Sequence, residues 1–272
     1  MMKRRIFRGA AYVILTLSVP AIGWGLKEKE VISNVPAPQE QVNIQSTIVS
    51  ETVSAETLFN DHINEIYQSA GLKEASLNFD VYKKAITGYY NLKSNFKISN
   101  DKQILSIVDF SKPSSQKRLW IVDLGSKKLL YHTLVAHGRG SGGLMATNFS
   151  NTAESHQSSL GFYVTDDTYF GKHGLSLRLN GLDKGSNTNA LARAIVVHGA
   201  DYVSERFVNQ NGYLGRSHGC PALPVELTGE IIKTIKGKTA LFIYSQPVQS
   251  DFLNAEAAIN GFMSANQTMA TL

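Results

Sequence analysis

Between residues 104 and 244 the sequence breaks into short runs rich in β-branched and apolar residues, and this texture constrains the fold more than any other feature. The runs at 104–110, 118–124, 129–136, 160–164, 175–179, 194–197 and 240–244 have the length and composition of strands. Gly125-Ser126-Lys127-Lys128, between the second and third runs, reads as a hairpin turn. An amphipathic helix fits 225–235, with Leu227, Ile231, Ile232 and Ile235 on its buried side. The expected fold class is α+β, mainly β, with helices at the periphery.

The flanking segments read differently. Helices are expected at 56–70, with Leu58, Phe59, His62, Ile63, Ile66 and Tyr67 on one face, and at 79–90, with Val81, Tyr82, Ala85, Ile86 and Tyr89 as its stripe. Together 56–98 form an N-terminal helical extension capping a catalytic domain at 99–247. Residues 27–55 are polar, carry Pro36 and Pro38, and read as a flexible linker. Residues 248–272 give no pattern and are assigned as a C-terminal tail. Lys3, Arg4, Arg5 and Arg8 precede an apolar stretch at 9–19, so residues 1–26 read as a signal peptide or membrane anchor. The expected location is therefore the periplasm or cell envelope, with membrane association if that segment is retained as an anchor.

Charge narrows the partners. The chain has 27 basic and 22 acidic residues, but four of the basic ones lie in residues 1–26, which hold no acid. The remainder is nearly balanced, which argues against a nucleic-acid partner, whose recognition needs positive charge on the folded domain.

Cys220 is the sole cysteine and lies in Arg216-Ser217-His218-Gly219-Cys220-Pro221. An exported chain with one cysteine has no internal disulfide to make, so a chemical role for the thiol becomes the leading reading. His198 ends the apolar run 194–197, and a strand end is a rigid support for a base. A thiol with an imidazole partner is the minimal equipment for nucleophilic attack on an acyl carbon. Gly219 allows a tight turn that aims amides at a developing oxyanion, and Pro221 and Pro224 suggest that a helix begins within about a turn of Cys220.

Ser217-His218-Gly219-Cys220, with the upstream blocks beginning at His198 and at Gly215, resembles the murein L,D-transpeptidases with a YkuD-like catalytic domain, in the branch that reads His-Gly-Ala-Asp-Tyr-Val-Ser and Gly-Arg-Ser-His-Gly-Cys-Pro-Ala. Residues 158–163 are similar to that family's glycine-containing strand beside the cleft. The sequence departs from the usual signature at Ala222, where the family carries Arg or Asn. The resemblance implies a fold of packed mixed sheets with peripheral helices. It implies Cys220 as nucleophile, His198 as base, the Gly199 carbonyl as its orienter, His218 as a pocket wall, and the amides of Gly219 and Cys220 as the oxyanion hole. It further implies peptidoglycan stem peptides as substrate, an amine acceptor peptide or protein, no cofactor or metal, and acylation by carbapenems. Arg216, Ser217, Tyr202, Tyr163 and Arg139 are the candidate substrate-binding residues, with Arg193 a further cation near the site. Hydrolysis by the same thioester, a wall-binding protein without activity, and a zinc hydrolase using His198, His218 and Cys220 are the alternatives.

Overall fold

The computed structural model describes residues 53–270. Residues 1–26, read above as a signal peptide or membrane anchor, and all of the linker before Val53 lie outside the described residues. Among those described, no helix is long and apolar enough to cross a membrane.

Two helices come first. In α1 (Ala55–Ser69) the Ser54 hydroxyl accepts the Thr57 N–H, and Phe59, Ile63 and Ile66 form the buried face. In α2 (Phe79–Ser94) the Asn78 side-chain oxygen caps the first turn by accepting the Asp80 N–H at 2.7 Å. Eight strands follow: β1 (Ile104–Asp109), β2 (Leu119–Asp123), β3 (Lys128–Thr133), β4 (Gly161–Gly171), β5 (Gly174–Gly181), β6 (Val196–Gly199), β7 (Ala222–Leu223) and β8 (Ala240–Tyr244). α3 (Glu205–Asn211) separates β6 from β7, α4 (Val225–Ile235) separates β7 from β8, and α5 (Ala255–Ala270) follows β8.

The strands form one mixed sheet in the order β3-β2-β1-β8-β4-β5-β6-β7. Beyond β3, Ala136 exchanges two backbone hydrogen bonds with Ala222 of β7, so the two edges of the sheet meet. The mainly-β α+β fold with peripheral helices is present, its strands joined in one sheet curled on itself. Alternation along the strands sorts the core. Leu105, Ile107, Trp120, Val122, Phe162 and Phe242 face the layer of α1, α2 and α5. Val108, Ile121, Tyr163, Leu179, Leu241 and Ile243 face inward, where Ile231, Ile232 and Ile235 of α4 fill the curl. Outside the curl, α2 approaches so closely that a β-carbon on Gly88 would lie 1.9 Å from the Phe162 ring.

Four differences from the sequence reading bear on the site. β4 continues to Gly171, because a bulge between Thr165 and Thr168 absorbs the loop-like Asp166-Asp167 pair. The β4–β5 hairpin therefore projects past the sheet and turns through Lys172 and His173. α3 lies in what reads as a loop, and buries none of its residues, so it has no apolar stripe to betray it. The segment assigned as a tail contains α5, whose Ala258 and Phe262 are buried against the helical layer. Finally, α4 starts at Val225, after β7, so Cys220 precedes a strand and not a helix.

Candidate active site

β6 runs between β5 and β7, with His198 in register with Ser176 on one side and Ala222 on the other. The His198 side chain is buried, and its Nδ1 lies 2.9 Å from the Gly199 carbonyl oxygen. A proton on Nδ1 satisfies that carbonyl and leaves a lone pair on Nε2. Burial holds the ring below the ordinary histidine range; the Gly199 hydrogen bond opposes this, and His173 and Lys172 add to it.

The turn that carries Cys220 is braced from within. The Ser217 hydroxyl donates to the Cys220 carbonyl at 2.6 Å and accepts the Gly219 N–H at 3.1 Å. Ser217 N–H donates to the His137 carbonyl, and Arg139 N–H donates to the Ser217 carbonyl, so the chain leading from β3 forms one wall of the turn. Gly219 has φ +120°, and a β-carbon there would lie 2.8 Å from the Gln157 carbonyl oxygen. Two expectations change accordingly. Ser217 is buried and its hydroxyl is committed to the turn, so it is not presented to a ligand. The Gly219 amide is committed to Ser217; the amides of His218 and Cys220 make no hydrogen bond among the described residues.

The Cys220 sulfur accepts the Val196 N–H at 3.5 Å and faces the Ala194 carbonyl oxygen at 3.7 Å. Among the described residues it makes no hydrogen bond to His198, which lies two residues further along β6. Burial pushes the thiol above the ordinary cysteine range, against the Val196 N–H and the charges of Arg193 and Lys172. Both shifts run toward the uncharged forms, a protonated thiol and an unprotonated imidazole.

The remaining residues divide. Tyr202 is half-buried, and its phenol is pushed up to about 12, first by burial and then by the nearby Cys220. Arg139 and Arg216 are exposed on the rim, Arg216 donating to the Gly142 carbonyl at 3.1 Å. His218 is exposed, its ring centroid 4.4 Å from that of His156. Tyr163 is not at the site: it is fully buried, and its hydroxyl donates to the Ser159 carbonyl, because its position in β4 points into the curl. Arg193 is not free to grip a substrate carboxylate. Its guanidinium donates to Ser150 O, Ser159 Oγ and Gln157 O at 2.6 Å and to Ser155 Oγ at 3.2 Å, clamping the loop behind Cys220.

His198, His218 and Cys220 do not converge as ligands: among the described residues no group of three or more His, Cys, Asp or Glu side chains is placed to hold a metal ion. Two features go beyond the sequence reading, which takes Lys172-His173-Gly174 as a turn with a supporting role at the site left open and gives Arg118 no role. His173 stacks on His198, with centroids 4.4 Å apart and planes at 25°. Its signal was the continuation of strand texture through Thr168-Tyr169-Phe170, which lengthens the hairpin. The other is Arg118, fully buried, donating to Val135 O and contacting His137 Nδ1 at 2.7 Å.

A profile of the L,D-transpeptidase catalytic domain matches residues 73–244, a span that takes in α2 as well as the curled sheet through β8. The chain belongs to that family. No curated protein matches the sequence. Solved structures similar to this L,D-transpeptidase family member include an L,D-transpeptidase from Mycobacterium smegmatis, 12% identical over 53% of this chain and 59% of that one, with a TM-score of 0.33. The helical cell shape determining protein from Campylobacter jejuni is 13% identical over 66% of this chain and 63% of its own, with a TM-score of 0.37. The Enterococcus faecium L,D-transpeptidase, solved as a cysteine-to-serine mutant, is 15% identical over 53% and 49%, with a TM-score of 0.31. In each case this chain covers less than two thirds of the other's length.

Proposed function

We propose that this protein is a cysteine L,D-transpeptidase acting on peptidoglycan stem peptides, with Cys220 as nucleophile and His198 as base. The observation that carries this reading is the β6–β7 pairing. It puts His198 in register with the strand that Cys220 leads into, inside a domain of the matching family. The Gly199 carbonyl holds Nδ1 and leaves Nε2 to exchange protons, a carbonyl taking the place of an acidic third member.

The reaction we assign has two halves. His198 Nε2 takes the thiol proton as the Cys220 sulfur attacks the carbonyl between the third, L-configured stem residue and the terminal D-residue. The C–S bond forms, the C–N bond breaks, and the departing amine takes the proton from His198. An acceptor amine then attacks the thioester, giving its proton back through His198 to the sulfur. The amides of His218 and Cys220 are the donors we assign to the oxyanion, since the Gly219 amide is committed to Ser217. Arg139 and Arg216 on the rim suit a stem carboxylate, with Tyr202 beside the thiol. Water in place of the amine gives a shortened stem. Such a substrate lies outside the cytoplasmic membrane, which accords with an exported protein.

The test is mass spectrometry of the purified protein incubated with tetrapeptide muropeptides. Cross-linked dimers or shortened stems are expected from the native protein, and neither from Cys220→Ala or His198→Ala. Stems left intact by a folded native protein would overturn the reading.

A further inference from the structure

We propose that His173, at the tip of the β4–β5 hairpin, is a positioning residue for His198 in the transfer reaction assigned above. The inference rests on that assignment for its catalytic consequence, and on geometry alone for the contact. An imidazole held only by Nδ1 can still swing about its hydrogen bond. The Gly199 carbonyl fixes one in-plane direction of the His198 ring, and the His173 ring, 4.4 Å away and 25° from parallel, fixes the plane. Together they leave Nε2 one direction to point.

The hairpin tip is otherwise exposed: Phe170 shows 82% of its surface, and Lys172, His173 and Gly174 are all solvent-facing. Yet His198 beneath it is only 3% exposed. The groups facing the His198 ring are His173 and Lys172 from the hairpin, the neutral Ser176 of β5 and Ala222 of β7, and the Gly199 carbonyl. No carboxylate is among them. Two stacked imidazoles resist double protonation, so the same contact that orients the base also keeps it in the proton-accepting form.

The experiment uses the full chain with His173→Ala and His173→Phe, measuring kcat and KM on tetrapeptide muropeptides and the titration of the His198 ring by NMR. His173→Ala is expected to lower kcat roughly ten-fold with little change in KM, since a misplaced base costs rate and not binding. It should also move the His198 titration to higher pH. His173→Phe keeps a ring but no charge, so it should recover kcat while leaving the titration raised. An alanine variant unchanged in both kcat and titration overturns the proposal, as does a phenylalanine variant no faster than the alanine one. The titration decides the ring contact even with a native protein inactive on stem peptides, an outcome that would overturn the transfer reading alone.

Discussion

The Cys220 sulfur accepts the Val196 N–H at 3.5 Å, and so rests against the backbone of β6 instead of against the imidazole of His198 on the same strand. Catalytic hydrogen bonds commonly tighten only when substrate is bound. In the reaction proposed above, the thiol gives its proton to His198 as attack begins, without a preformed ion pair.

This arrangement has a direct signature in alkylation. A thiol held above the ordinary cysteine range is mostly protonated at neutral pH, so its rate with iodoacetamide should keep climbing beyond about pH 8.5 instead of levelling off near neutrality. Because the resting sulfur makes no hydrogen bond to His198 among the described residues, His198→Ala should leave that rate within about three-fold while abolishing turnover. A plateau below pH 7 that vanishes in His198→Ala would show an ion pair already formed.

Gly88 sets helix propensity against packing. Alanine in an exposed helix interior gains about 1 kcal/mol over glycine. Here the new methyl would lie 1.9 Å from the Phe162 ring. Overpacking of a fixed core costs about 1–3 kcal/mol, so Gly88→Ala should destabilise the protein in urea denaturation. An increase in stability would mean that α2 does not sit on β4 as described.

His137 supplies the pH dependence. Burial, then the charge of Arg118, lowers its pKa to about 4. Unfolded histidine binds its proton near 6.5, so between about 6.5 and 4 the unfolded chain holds a proton that the native protein excludes. Stability attributable to this group is therefore complete above the upper value and declines as pH falls through the window. The total is about 3 kcal/mol. Denaturation midpoints measured at pH 7 and pH 4.5 should show the loss, and His137→Gln should reduce it.

Arg193 holds the loop at 150–159 together through four hydrogen bonds, with its charge beside Cys220. Hydrogen bonds from a charged donor contribute about 1.5–3 kcal/mol each, though not additively. Arg193→Gln should cost about 2–4 kcal/mol on that basis, read by chemical denaturation, and should slow Cys220 alkylation because a nearby positive charge favours thiolate. Unchanged stability and alkylation would contradict the clamp.

What the sequence reveals follows from how local each signal is. The strand at 240–244 and the helix at 225–235 are fully buried or strongly amphipathic, and their bounds match β8 and α4. Cys220 and His198 stand out because residue type and neighbours single them out. Three other features depend on chain segments far apart in sequence. Tyr163 reads equally well as pocket or core until the curl fixes which way β4 points. Arg193 is an ordinary cation until the loop at 150–159 folds around it. His173 is a turn residue until a bulge lengthens the hairpin enough to reach β6. α5 is hidden for a different reason: its alanines and asparagines are too weakly patterned to show a face before α1 and α2 provide a surface for Phe262.

The most direct measurement is the intact mass of the protein mixed with a tetrapeptide donor and no amine acceptor, quenched in acid and followed by peptide mapping. The account predicts an added mass equal to the donor less one free D-amino acid (the terminal residue plus water), attached to the peptide containing Cys220 and released by hydroxylamine. Stem turnover without any adduct at Cys220, or turnover persisting in Cys220→Ala, would contradict it.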